Sequence, residues 1–85
     1  MPASRAAPAP PAHGGSPWTI PVDGSRLRAL RQARGMSRDV LAGRAGISAS
    51  TVARLEQGHR TSCRGRTLVR LAAALDADPS TITPG

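Results

Sequence analysis

The sequence predicts an all-α fold: a compact domain of four to five short helices over residues 25–83, behind a disordered tail over residues 1–24. Three observations predict it. Apolar residues recur at helical spacing through the second part of the chain. Most helical stretches are preceded by Ser or Asp, and the first three are followed by Gly, the residue types that cap helix starts and ends. Six of the eight prolines fall within residues 1–21, in a run rich in Ala, Gly and Ser that supports a polyproline-like tail instead of helix.

Helix one spans about Ser25 to Arg34. Ser25 is its expected N-cap, Leu27, Leu30 and Ala33 share a face, and Gly35 ends it. Helix two spans about Arg38 to Arg44, with Ser37 as cap and Asp39 at the positive end of the helix dipole. Leu41, Ala42 and Ala45 point inward. Gly46-Ile47 then makes a tight break with one buried anchor. Helix three spans about Ala49 to Gln57. Ser48 caps it, Val52 and Leu55 face inward, and Gly58 closes it. Residues 59–66, His-Arg-Thr-Ser-Cys-Arg-Gly-Arg, read as a basic loop. Helix four spans about Thr67 to Leu75, where Leu68, Leu71, Ala72 and Leu75 form a core-facing stripe. Asp78-Pro79 starts a short final helix anchored by Ile82. In the tail, Trp18, Ile20 and Val22 form an apolar cluster. It either folds back on the domain or docks a partner.

Charge narrows the function. Twelve Arg and no Lys oppose five acidic residues, for a net charge of +7. Arg5 and Asp23 cancel within the tail, so the excess lies on the domain. A compact basic domain suits a polyanion. RNA fits the charge, but one Trp and no Phe or Tyr leave no aromatic platform for stacking bases. Cys63 is the sole cysteine, which excludes an internal disulfide and a multi-Cys metal site and fits a reducing cytoplasm. His13 and His59 have no supporting ligand pattern, so no metal or other cofactor is expected. No apolar run approaches the ~20 residues of a membrane span, and the first residues lack an apolar signal core. A cytoplasmic, non-membrane protein is expected. No His–acid–nucleophile set is visible, and an enzyme is not expected.

Two short helices joined by a small-residue turn make a helix-turn-helix unit. Helix two packs across helix three and holds it at the surface. Helix three is then free to enter the major groove, which admits one helix and displays a distinct pattern for each base pair. The ordered set Leu30-Arg31, Gly35, Ser37, Leu41-Ala42, Gly46-Ile47-Ser48, Val52, Leu55-Glu56-Gln57-Gly58 and Leu71-Ala72-x-x-Leu75 resembles the Cro/repressor-type (lambda-repressor-like, XRE) helix-turn-helix family over about residues 25–83.

The resemblance implies roles. Arg31 matches an arginine that pairs with the glutamate matched by Glu56, a tie from helix one to the end of helix three. Ala49, Ser50 and Arg54 fall at base-reading positions, with Ser48 and Thr51 near the backbone. Arg54 is the strongest of these: an arginine can give two bonds to guanine O6 and N7. A phosphate clamp is its alternative role. Arg38, Gln57, Arg60, Arg64 and Arg66 are the further phosphate candidates. The expected partner is double-stranded DNA, bound as a homodimer, since helix-turn-helix dimers meet half-sites about one turn apart. No separate dimerisation or effector domain is expected. The implied function is a small transcriptional regulator, a repressor or autoregulator. The alternative is an antitoxin-like module whose tail engages a protein partner. The sequence departs from the family pattern in four places. Arg38 replaces a frequent Gln, Val40 stands where a capping-box acid is usual, and Gln57 replaces Asn. The loop before helix four is one residue longer and lacks a proline.

Overall fold

The computed structural model describes residues 19–84. Of the tail expected over residues 1–24, residues 1–18, Trp18 included, lie outside the described residues. The elements run β1 (Thr19–Pro21), α1 (Gly24–Ala33), α2 (Arg38–Ala45), α3 (Ala49–Gln57), β2 (Ser62–Arg64) and α4 (Gly65–Ala74), then a closing 3-10 helix (Pro79–Ile82).

The caps explain where the helices begin. Ser37 and Ser48 lie in extended backbone and accept hydrogen bonds from the amides of Val40 and Thr51, both at 3.1 Å. Each bond satisfies an amide that has no partner within its helix. Asp78 does the same for Ser80 ahead of Pro79. The start of α1 differs from expectation. Asp23, not Ser25, is its cap, and its carboxylate accepts from the Arg26 amide at 3.1 Å. Both residues are capping types, but the Asp23 amide is already held by the Ile82 carbonyl at 2.7 Å. That bond fixes Asp23 in extended backbone and lets the helix begin at Gly24.

The second difference is in residues 59–66. They are not one loop: Ser62–Arg64 form a strand, and Gly65 and Arg66 open α4. The strand pairs antiparallel with Thr19–Pro21, in the register Thr19 to Arg64, Ile20 to Cys63 and Pro21 to Ser62. A two-stranded sheet tolerates Pro21, because an edge position needs no donor on its outer side. The Val22 amide extends the pairing to the Thr61 carbonyl at 2.9 Å, and the Val22 side chain is buried in the core. The fold is thus mostly α, with a small sheet that staples the segment before α1 to the segment before α4.

The core is one apolar cluster. Leu27, Leu41, Val52, Leu55, Cys63, Leu71, Leu75 and Ile82 are fully buried. Burying a side chain such as leucine contributes about 1.5–3 kcal/mol, so these residues dominate the stability of so short a domain. Cys63 belongs to this packing. Burial pushes its thiol above the ordinary value against the opposing charge of Arg60, so it stays protonated. α2 packs against both α3 and α4, with Ala42 and Ala45 buried at the contact. Their small side chains let the helices approach. The turn from α2 to α3 needs Gly46, whose backbone is left-handed at φ 71°.

Candidate nucleic-acid interface

α3 carries two opposed faces. Val52 and Leu55 point into the core. Ser50, Arg54 and Gln57, spaced at i, i+4 and i+7, form one exposed stripe on the opposite side. Ala49 is half-buried against the core at the start of the helix. Ser48 and Thr51 pair with each other through their hydroxyls at 2.8 Å, so the first turn of α3 is rigid.

The last turn of α3 is held from two sides. Arg31 on α1 donates Nε to Glu56 Oε2 at 2.6 Å and Nη2 to Oε1 at 3.0 Å. Its Nη1 reaches the Met36 carbonyl at 2.8 Å. Arg38, the first residue of α2, donates Nε to Glu56 Oε1 at 3.1 Å. The Glu56 side chain is wholly screened from solvent, at 0% exposure. This second arginine on Glu56 is invisible in the sequence, where Arg38, 18 positions away, reads as a phosphate candidate.

Burial by itself raises the Glu56 pKa, but the hydrogen bonds from Arg31 and then Arg38 outweigh it. The carboxyl is held below its ordinary value of 4.5. A carboxylate with a lowered folded pKa contributes stability above its unfolded value and loses it as pH falls through the folded one. Urea denaturation should therefore give constant stability from neutral pH to about 4.5, then a decline. Glu56→Gln should show a shallower decline. Asp78, held low by the Ser80 amide and hydroxyl, supplies part of what remains.

Beside Arg38, which is held on Glu56, the further phosphate candidates fall into two groups. Gln57 and Arg60 sit at the end of α3, and the Arg60 amide donates to the Arg54 carbonyl at 3.1 Å. Arg60 Nε also bonds the Ser62 carbonyl at 3.0 Å, which ties its side chain to the entry of β2. Arg64 and Arg66 are exposed on β2 and on the first turn of α4. They are joined to α3 through the intervening loop. Arg34, an arginine not singled out in the sequence, caps α4 by donating Nε to the Leu75 carbonyl at 2.9 Å. Among the described residues no helix is long and apolar enough to cross a membrane. No group of three or more His, Cys, Asp or Glu among them is placed to hold a metal ion.

A helix pair closed by a glycine turn, its second helix anchored at both ends and exposed along one polar face, defines a helix-turn-helix domain. The family model for the helix-turn-helix domain matches residues 24–83, and the chain belongs to this family, in its Cro/lambda-repressor-like (XRE) branch. Three solved structures illustrate the likeness. The restriction-modification controller protein C.AhdI from Aeromonas hydrophila is 40% identical, with a TM-score of 0.65, over 68% of this chain and 86% of its own. SinR, the Bacillus subtilis master regulator for biofilm formation, solved in complex with DNA, is 29% identical, with a TM-score of 0.66, over 68% of this chain and 92% of its own. The P22 c2 repressor, solved with a synthetic operator, is 25% identical, with a TM-score of 0.69, over 75% of this chain and 96% of its own. Among curated proteins none matches the chain.

Proposed function

We propose that the chain is a transcriptional regulator, acting as a repressor or autoregulator, that binds a specific sequence in double-stranded DNA. The observation that carries this reading is the exposed stripe of Ser50, Arg54 and Gln57 on a helix whose inner face and last turn are fixed. A rigid helix with polar residues at i, i+4 and i+7 suits the major groove, where side chains meet base edges. SinR and the P22 c2 repressor, similar in fold, were each solved with DNA.

In this reading residues 25–83 are the DNA-binding domain behind the segment 1–24, of which Thr19–Asp23 are docked on the domain. Ala49, Ser50 and Arg54 face bases. Arg54 gives paired bonds to a guanine, and Ala49 is small enough to admit a thymine methyl. Ser48, Thr51, Gln57, Arg38, Arg60, Arg64 and Arg66 hold the sugar–phosphate backbone, fixing register without reading sequence. Two chains meet one operator, because a single small domain covers only a half-site. Selection from a pool of random duplexes with the full chain tests the reading. An inverted repeat should be enriched, with two chains per duplex in sedimentation. Binding that falls steeply with salt and enriches no motif would reduce the protein to a phosphate binder.

A further inference from the structure

The two arginines on Glu56 are not equivalent. Arg31 uses Nε and Nη2 on the two carboxylate oxygens and Nη1 on a carbonyl, and its side chain is only 11% exposed. Its whole fork is engaged within the domain. Arg38 gives Nε to Oε1 and remains 37% exposed. Two guanidiniums against one carboxylate leave a net positive charge, and Arg38 is the member of the trio that presents it to solvent.

The position of that bond in the chain matters. Arg38 opens α2, and Glu56 lies one residue before the end of α3. The turn at Gly46–Ile47 joins α2 to α3 covalently at one end. The Arg38–Glu56 bond joins them at the other, where the chain leaves the pair open. A bond spanning the open end of a two-helix unit restrains the angle at which the packed helices meet. The Arg31 fork, which comes from α1, meets Glu56 and the Met36 carbonyl two residues ahead of α2, so of the two arginines only Arg38 carries the bond from α2 itself.

We propose that Arg38 is a positioning residue for base reading: by closing the open end of the α2–α3 pair through Glu56, it sets the tilt at which α3 presents Ser50 and Arg54. The proposal rests on the DNA-reading function argued above. It is a role beside the phosphate contact given to Arg38 above, which strengthens binding to every sequence alike. Loss of the tie lets α3 tilt, and the cost falls on the matched sequence.

The test compares the full chain with Arg38→Met and with Arg66→Met, each lacking one charge and its N–H donors. Affinity is measured for the duplex enriched by the full chain and for a scrambled duplex, across a salt series. Arg31 keeps both its bonds to Glu56 in either variant, so a cooperative melt is expected in both. Arg38→Met should lower the ratio of matched to scrambled affinity at least about tenfold, a loss of about 1.4 kcal/mol in discrimination. Arg66→Met should leave that ratio unchanged while flattening the salt slope by about 0.9, the release expected for one phosphate. Equal losses on both duplexes in Arg38→Met, or no loss on either, would overturn the positioning role. A wild-type chain that prefers no duplex would overturn the DNA reading, and this proposal with it, and the wild-type arm shows that separately.

Discussion

Glu56→Ala is expected to cost the domain about 3–5 kcal/mol, the usual penalty for stripping the partner from a buried charge. Its carboxylate is fully screened and accepts three arginine hydrogen bonds. Removing it leaves the Arg31 guanidinium inside the domain beside a second one, with no counter-charge between them. Arg38 can swing out to water, but Arg31 lies beneath α3. Arg31→Ala should cost less, because Arg38 still neutralises Glu56. Thermal denaturation followed by circular dichroism checks both. The melting temperature of Glu56→Ala should fall by roughly 12 °C or more. A loss below about 1 kcal/mol would mean that the trio behaves as an exposed surface pair.

The second large effect is at Gly24. A Cβ there would lie 2.0 Å from the Leu55 carbonyl oxygen and 3.2 Å from the Glu56 Cα. Both are backbone atoms of α3, so no side chain can rotate out of the way. Gly24→Ala must push the first turn of α1 off the last turn of α3, at a cost of about 1–3 kcal/mol or more for overpacking. Gly43 is the control. It lies within α2, on an exposed face, with nothing within 4 Å of a new Cβ. Gly43→Ala should stabilise the domain by about 0.5–1 kcal/mol, the ordinary helix preference of alanine over glycine. The two substitutions are chemically identical, so opposite signs in urea denaturation would isolate the close approach of α1 to α3. A neutral Gly24→Ala would contradict it.

Much of the fold was legible in the sequence because it is locally encoded. Ser37, Ser48 and Asp78 act through amides two or three residues ahead, and the stripe Leu68, Leu71, Ala72, Leu75 repeats with the helix period. What escaped is set by long-range partners. A three-residue strand is too short to show alternation, and β2 exists because β1, more than 40 positions away, supplies its hydrogen bonds. Asp23 and Ser25 are both capping types, and the Ile82 carbonyl decides between them. Spacing sets Ser50 and Arg54 on helix three away from Val52 and Leu55, and the family resemblance makes them candidates for base reading; that Gln57 shares their exposed stripe is seen in the folded helix. The bond from Arg38 to Glu56 and the contact at Gly24 could not be read from spacing, since each depends on how separate helices meet.

These constraints converge on α3. Leu55 and Val52 fasten its inner face, Ser48 stiffens its first turn, and Gly24, Arg31 and Arg38 fix its last. A helix restrained this way loses little freedom on binding, which favours recognition by the few side chains it exposes. Arg54, midway along the exposed face, is the residue on which we propose that recognition turns. The most direct test repeats the duplex selection with Arg54→Ala beside the wild-type chain at the same salt. If Arg54 reads a guanine, the variant should enrich the same inverted repeat with preference lost at one base pair in each half, a loss of about 1–3 kcal/mol in discrimination. An unchanged motif, with affinity lowered evenly across all sequences, would show that Arg54 grips phosphate and would contradict base reading by this residue.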